Sequence, residues 1–224
     1  MNTIRPKKGN TMKNHEIEEL TALLDASFRE NSNAEGYALF HRLILLLAEG
    51  QAVSPARIAG ALERSIEEIE TTLRQMPSIE LDEDGNVVGA GLTLRPTPHR
   101  FTINDRTMFT WCALDALMFP GLLKQTVQVE SPCVTTNIPV RVKVTPNGVE
   151  QVEPAEAVVS LVAPGASADI RRSFCDYVNF FSSNEAASAW LSKHPGAMTL
   201  PVKEAYQLGR RLAESIFVIK EAGF

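Results

Sequence analysis

Apolar residues recur at helical spacing in two stretches near the N-terminus, residues 16–29 and 35–49. In each stretch, large side chains three or four positions apart would line one face of a helix. Gly50 follows the second stretch, where a glycine commonly ends a helix. The pattern therefore predicts two amphipathic helices in this part of the chain.

Shorter elements follow between residues 54 and 94. Ser54 with Pro55, and then Ser65, are typical helix starts, because serine accepts a backbone hydrogen bond and proline fits the first helical position. Residues 84–86 (Asp-Gly-Asn) predict a turn between two strands. The predicted elements are helices over residues 57–62 and 65–75 and strands over 79–81 and 87–94. Helices followed by a β-hairpin are the order of a winged helix-turn-helix module.

The second half of the chain alternates between strand-like and helical patterns. Asn104 and Asp105 are expected to cap a helix over residues 108–117, which the Phe-Pro-Gly sequence at 119–121 then breaks. The other predicted elements are strands over 101–103, 126–130, 140–145, 157–161 and 175–181, a turn over 146–148, and helices over 185–192 and 202–220. We expect an α+β fold in which a mainly antiparallel sheet is flanked by helices.

Three regions are predicted along the chain: a flexible basic tail over residues 1–15, a winged-helix-like module over 16–98 and an α+β domain over 99–224. The tail has no apolar segment after its basic residues, so it lacks the pattern of a secretory signal, and Met12 is an alternative candidate for the start. No apolar run reaches the length of a membrane span. These features predict a cytoplasmic protein with no membrane partner.

The net charge of −5 argues against nucleic acid as a partner, because binding phosphates needs a basic surface. In a winged module, the second helix of the helix-turn-helix pair would contact DNA. Here that helix carries Glu67, Glu68 and Glu70, while Arg64 and Arg74 lie only at its ends. We therefore expect the module to act as a scaffold.

The chain has 3 widely spaced cysteines and no Cys-x-x-Cys pair, which predicts free thiols rather than disulfides or a closed zinc site. Cys112 and Asp115 are three positions apart and would share one face of a helix. Arg171 and Arg172 shortly precede Cys175 and favour its thiolate form. Spacing alone does not decide whether the thiols of Cys112 and Cys175 lie close together. The alternative that Cys112 is a buried structural cysteine beside a surface aspartate also stays open.

The segment from Trp111 to Pro120, WCALDALMFP, resembles the signature of the alkylmercury (organomercurial) lyases. The segment over 84–94 resembles the wing of that family and the strand after it. Further similar segments follow at residues 131–133, 152–154, 158–162 and 173–175. The likeness runs from about Leu39 to Leu212 and so covers most of the chain.

This resemblance implies a winged-helix-like first part and a catalytic domain, over residues 99–224, built on an antiparallel sheet. It assigns catalytic roles to Cys112, Asp115 and Cys175, which would also hold mercury as substrate and product. Some relatives have a further cysteine and histidines where this chain has residues 176–179. Those positions are not catalytic in the family pattern, so the departure concerns the shape of the pocket.

The implied chemistry suits these residue types, since thiolate is the softest ligand that a protein offers to the very soft mercury ion. Cys112 and Cys175 are expected to bind the organomercurial, while Asp115 passes a proton to carbon as the carbon–mercury bond breaks. The products would be a hydrocarbon and Hg(II). By the same resemblance, no organic cofactor is implied, small cytosolic thiols would help to release the metal, and a mercuric reductase would accept it.

The remaining candidate residues receive no role in this chemistry. Cys133 follows a proline in a predicted turn, and we assign it a structural role. The histidines show no metal-binding spacing, and His99 is expected at a solvated strand end. Two other functions stay open: a winged-helix regulator that senses metals through thiols, and a non-catalytic zinc or copper protein that uses Cys112, Asp115 and Cys175.

Overall fold

The computed structural model describes residues 14–31, 34–163 and 169–217. The predicted tail lies outside these ranges except for its last two residues, which begin the first helix, and so does the end of the helix predicted over 202–220. The helices of the described ranges are α1 (Asn14–Asn31), α2 (Ala34–Leu47), α3 (Pro55–Leu62), α4 (Ile66–Gln75), α5 (Ala113–Leu123), α6 (Ile170–Ser173), α7 (Asn184–Leu191) and α8 (Val202–Phe217).

The described strands form two antiparallel sheets, one of eight strands and one of three. They are β1 (Glu80–Leu81), β2 (Val87–Ala90), β3 (Leu92–Thr93), β4 (His99–Ile103), β5 (Arg106–Thr110), β6 (Val127–Pro132), β7 (Pro139–Thr145), β8 (Gly148–Glu153), β9 (Val158–Leu161), β10 (Phe180–Phe181) and β11 (Met198–Pro201). The large sheet has the order β1-β2-β3-β5-β4-β6-β7-β8, and the small one β10-β9-β11. The predicted α+β class, with an N-terminal helical module and an antiparallel sheet flanked by helices, is confirmed.

The predicted caps of the short helices α3 and α4 are confirmed. The Ser54 hydroxyl accepts a hydrogen bond from the backbone N–H of Arg57 at 3.3 Å, with proline at the start of α3. Ser65 and Glu68 form a reciprocal capping box at the start of α4, in which each side chain accepts from the other residue's backbone N–H. Local sequence therefore fixes where both helices begin.

The strand predicted over residues 87–94 is two strands, because the chain reverses at Gly91. This residue has a φ of +72°, and a Cβ there would lie only 2.7 Å from the ring of Phe119, so glycine is required. After the reversal, β3 pairs with β5, with Leu92 opposite Thr110. The strands of the N-terminal module thus continue into the sheet of the second half. The predicted boundary after residue 98 falls inside this sheet, and the division into domains stays a prediction.

The start predicted for the helix over residues 108–117 is wrong. Asn104 and Asp105 have φ values of +46° and +65° and form the turn of a hairpin between β4 and β5, in which Ile103 lies opposite Arg106. Asparagine and aspartate tolerate positive φ, which two-residue hairpin turns need. The same two residue types also cap helices, and the sequence pattern alone led to the prediction of a helix cap where the structure has a hairpin turn.

The predicted break of α5 at Pro120 is also wrong, since the helix begins at Ala113 and continues through this proline to Leu123. Proline removes one helical hydrogen bond, yet seven of the helix residues are buried. The helix lies between the large sheet and α8, so tertiary packing stabilises it. Within the described ranges, no helix combines the length and the apolar character that crossing a membrane requires.

The strand predicted over residues 175–181 is wrong in its first part. Residues Cys175–Tyr177 form one turn of 3-10 helix directly after α6, and only the final two residues of the stretch pair as β10. The strands β8 and β11 were not predicted. β8 is the half-exposed edge of the large sheet, and β11 ends in a proline, so neither shows a clear alternation of buried residues.

Candidate active site

Cys112 occupies the N-cap position of α5, and Asp115 lies on the first turn of the same helix. The Cys112 sulfur accepts a hydrogen bond from the backbone N–H of Asp115, with a distance of 3.4 Å between sulfur and nitrogen. Both residues are buried. The predicted proximity of thiol and carboxylate is therefore present, although the thiol stands at the helix end and not on a helical face.

Cys175 lies on the 3-10 turn after α6, and this turn packs beside the start of α5. The backbone N–H of Ala113 donates to the carbonyl of Val178 at 2.9 Å, and the N–H of Val178 donates to the carbonyl of Cys175 at 3.0 Å. These two bonds join the segment that carries Cys112 to the segment that carries Cys175. The second cysteine is therefore held by backbone contacts, although a strand start was predicted for it.

The three side chains converge on one point. A sulfur of Cys112, a sulfur of Cys175 and a carboxylate oxygen of Asp115 all lie within 4.8 Å of one another, and all three residues are buried. Within the described residues, this is the single group of three or more histidine, cysteine or acidic side chains arranged to hold a metal ion. The described cysteines are all free, as predicted.

Burial gives Asp115 an unusual protonation state for an aspartate. Burial raises the pKa of Asp115 to about 7, against a smaller lowering by hydrogen bonds from Cys112. Its Oδ2 atom is buried and has no hydrogen-bond partner. An unpaired buried oxygen on a group that titrates near neutrality is suited to taking and giving a proton.

The two thiols are held mostly in the protonated form. Burial raises the pKa of Cys112 well above its ordinary value, and the contact with Cys175 raises it further. The hydrogen bond from Cys112 lowers the pKa of Cys175, but burial and the carboxylates of Asp115 and Asp176 outweigh that effect and leave it raised. Arg171 lowers the pKa of Cys175 only slightly. The prediction that Arg171 and Arg172 favour the thiolate form of Cys175 is therefore wrong, because the pKa of this thiol is raised overall.

Cys133 lies outside the cluster, at the end of β6. Its sulfur lies 3.5 Å from the hydroxyl of Thr135 and accepts a hydrogen bond from Ser182 at 3.6 Å. Burial raises the pKa of Cys133, but hydrogen bonds from Thr135, Thr136 and Ser182 outweigh burial and lower it to about 6. Its structural role stays a prediction.

The expectation that His99 is a solvated strand end is wrong. The residue is 3% exposed, because the hairpin that was missed places it in the interior of the large sheet between β5 and β6. Its Nδ1 atom lies 2.9 Å from the hydroxyl of Ser131. Burial lowers the pKa of His99 to about 4, so the ring is neutral at physiological pH.

Sequence reasoning missed one residue beside the site, Glu80 on β1. Its carboxylate is buried and accepts hydrogen bonds from the indole N–H of Trp111 at 2.9 Å and from Arg171. The available signal was a glutamate between two large apolar residues, Ile79 and Leu81, in a predicted strand. A buried carboxylate needs partners, and nothing in the local sequence indicates which ones.

Comparison with known proteins identifies the family. The family described as "Alkylmercury lyase" matches residues 92–214, and that described as "Helix-turn-helix domain of alkylmercury lyase" matches residues 19–91. The chain belongs to the alkylmercury lyase family. An alkylmercury lyase of Staphylococcus epidermidis is 47% identical over 201 residues, which are 90% of this chain and 92% of that protein. One of Pseudomonas putida is 46% identical over 191 residues, 85% of this chain and 90% of that protein.

A solved structure shows the same fold as this alkylmercury lyase. The mercury-bound form of MerB2 superimposes with a TM-score of 0.74 at 24% sequence identity, over 89% of this chain and 99% of that one. The family and the enzyme class implied by the WCALDALMFP segment are confirmed. Membership of an enzyme family also decides against the regulator and the non-catalytic metal protein as the function of the chain.

Proposed function

We propose that this lyase breaks the carbon–mercury bond of alkyl- and arylmercury compounds by protonolysis. In this proposal Cys112 and Cys175 bind the mercury atom and Asp115 delivers the proton. The observation that carries the proposal is the meeting of two sulfurs and a carboxylate oxygen within 4.8 Å of one another, all on buried residues. Soft sulfur ligands select mercury, and the carboxyl supplies the acid.

The first step is an exchange of sulfur ligands at mercury. The substrate arrives as an R–Hg complex of a small thiol, and the sulfur of one cysteine displaces that thiol, which leaves with the proton of the cysteine. The two-coordinate product, cysteine–Hg–R, is stable by itself. Binding of the second cysteine raises the electron density on mercury and shifts charge towards carbon. The placement of Cys112 beside Cys175 supports this second contact.

The second step is proton transfer through Asp115. The carboxylate accepts the proton of the second thiol and delivers it to carbon, so that the carbon–mercury bond breaks and R–H leaves. Mercury remains as Hg(II) held by two thiolates, and the carboxylate is regenerated. A pKa of about 7 suits both halves of this transfer, because the group is easily protonated and easily deprotonated at neutral pH.

The partners and surroundings follow from the same chemistry. Sulfur exchange and proton transfer account for every bond change, so we infer that no organic cofactor takes part. Small cytosolic thiols would carry the substrate in and remove Hg(II), a mercuric reductase would accept it, and the chain would act in the cytoplasm. The module over residues 16–98 would serve the catalytic domain over 99–224 as a scaffold, since Glu67, Glu68 and Glu70 are all exposed on α4 and would repel DNA.

The direct test is turnover of purified, reduced protein with phenylmercury and excess small thiol, with benzene measured by gas chromatography. Asp115→Asn should lower kcat by about a hundred-fold or more while mercury stays bound, because it removes the acid and keeps the ligands. Cys112→Ser and Cys175→Ser should each abolish turnover. Asp176→Asn is the matched control, since Asp176 is exposed beside Cys175 and should retain activity.

Two results would count against the proposal. Undiminished benzene release by Asp115→Asn would remove the carboxylate from proton transfer. Tight mercury binding by the unaltered protein with no hydrocarbon over many turnovers would make it a mercury-sequestering protein.

A further inference from the structure

The buried carboxylate of Glu80 connects three parts of the chain that are distant in sequence. Its Oε2 atom accepts a hydrogen bond from the hydroxyl of Thr93 at 2.7 Å. Its Oε1 atom accepts from the indole N–H of Trp111 at 2.9 Å and forms an ion pair with the guanidinium of Arg171. The side chain of Glu80 is only 7% exposed. A buried carboxylate with three donors is fixed in place, since each lost partner would leave charge unpaired.

Two of these donors stand next to the candidate catalytic cysteines. Trp111 immediately precedes Cys112. Arg171 lies on α6, about one helical turn before Cys175 in the chain. The guanidinium of Arg171 also lies over the indole ring of Trp111, 5.2 Å from its centre. The carboxylate of Glu80 therefore holds the two sulfur-bearing segments against each other through their neighbouring side chains.

A second contact from the same segment of the N-terminal module reaches α6. The hydroxyl of Ser78 donates to Oδ1 of Asp169 at 3.0 Å, and Asp169 is the N-cap residue of α6. Ser78 and Glu80 thus hold both the start and the first turn of the helix that leads to Cys175. The module contacts the catalytic segments with polar groups of fixed direction, which position side chains more strictly than apolar packing does.

The neighbouring strand leaves room for this carboxylate. Gly89 lies opposite Glu80 in the β1–β2 pair, and a Cβ at Gly89 would lie 2.6 Å from Oε2 of Glu80 and 2.7 Å from the hydroxyl of Thr93. Any larger residue would displace the acid or its donor. The strand pair is therefore built around the Glu80 side chain.

We propose that Glu80 is a positioning residue for the lyase reaction, through which the helix-turn-helix module sets the separation of Cys112 and Cys175. This inference rests on the proposed role of the two cysteines as joint mercury ligands. Glu80 lies outside the group of Cys112, Asp115 and Cys175 that would hold mercury. It acts through Trp111 and Arg171, and it gives the N-terminal module a function in catalysis that does not involve DNA.

The test compares Glu80→Gln with Glu83→Gln, which changes an exposed glutamate in the adjoining turn and should retain full activity. Glu80→Gln should lower kcat by about ten-fold or more with KM changed by less than about two-fold, because misplacing reacting groups slows chemistry more than it weakens binding. Binding of phenylarsine oxide, which requires two adjacent thiols, should weaken in parallel. Thermal unfolding of each variant reports whether it is folded.

Arg171→Met approaches the same contact from the other side, and the double variant completes a cycle. If the ion pair is the positioning device, the double variant should lose no more activity than the more damaging of the two single variants. Unchanged kcat and arsenical affinity in Glu80→Gln, or a fall in melting temperature alone, would overturn the proposal. If Glu80→Gln fails to fold, Arg171→Met with full activity and arsenical affinity would overturn it instead. Turnover by Cys112→Ser would refute the catalytic assignment itself, whatever the Glu80 variants do.

Discussion

Replacing Asp115 by asparagine should make the stability of the protein less sensitive to rising pH. Burial raises the pKa of this carboxyl from 3.8 to about 7 in the folded protein, whereas the unfolded chain leaves it in water. The folded state therefore binds the proton more tightly than the unfolded state. Its contribution to stability is complete below the unfolded pKa and is lost as the pH rises through about 7.

The size of the loss follows from the difference between the two pKa values. Each pKa unit corresponds to about 1.4 kcal/mol. Integrated between roughly pH 5 and pH 8, the raised pKa removes about 2.5 kcal/mol from the free energy of unfolding, and this loss should be missing in Asp115→Asn. The comparison uses the change between two pH values, so any constant effect of the asparagine side chain cancels.

Urea unfolding of reduced protein, followed by tryptophan fluorescence at both pH values, measures this change. The raised pKa values of Cys112 and Cys175 keep both thiols protonated over this pH range. Asp176→Asn controls for removing an exposed carboxylate close by. If the unaltered protein and Asp115→Asn lose stability in parallel between the two pH values, Asp115 is not a buried acid with a raised pKa. The argument for its role as proton carrier would then lose its electrostatic basis.

Three further substitutions test separate parts of the structure. Ser65→Ala removes the capping box of α4 and should lower the free energy of unfolding by about 1 kcal/mol with kcat unchanged, as checked by urea titration and benzene release. Gly91→Ala places a Cβ 2.7 Å from the ring of Phe119 at positive φ, so the melting temperature should fall steeply in a thermal scan. Cys175→Ser should still bind one phenylmercury per chain through Cys112 but release no benzene; release at the normal rate would show that a single sulfur suffices.

Much of the N-terminal module could be predicted from local sequence, because its elements depend on short-range rules. The caps at Ser54 and Ser65 need only neighbouring backbone groups, and the structure shows both. The same rules gave a wrong prediction at Asn104 and Asp105, which form a hairpin turn and not a helix cap. Those residue types suit both a helix cap and a hairpin turn, and the pairing of β4 with β6 that favours the hairpin lies more than twenty residues further along the chain.

The residues of the candidate site could be named from the sequence, but their arrangement in space could not. The resemblance to the lyase family, carried by WCALDALMFP and by the segment at 173–175, pointed to Cys112, Asp115 and Cys175, but no spacing rule brings residue 175 to residue 112. That approach depends on the backbone bond between Ala113 and Val178. The part played by Glu80 was likewise hidden, since its partners at positions 93, 111 and 171 are recruited by the tertiary fold.

Because β3 pairs with β5, the N-terminal module shares one sheet with the second half of the chain. In this chain, a cut near residue 98 would strip β5 of its neighbour and expose an open hydrogen-bonding edge on each fragment. An insertion between the module and the catalytic half must therefore preserve the register of Leu92 against Thr110 to leave the enzyme intact.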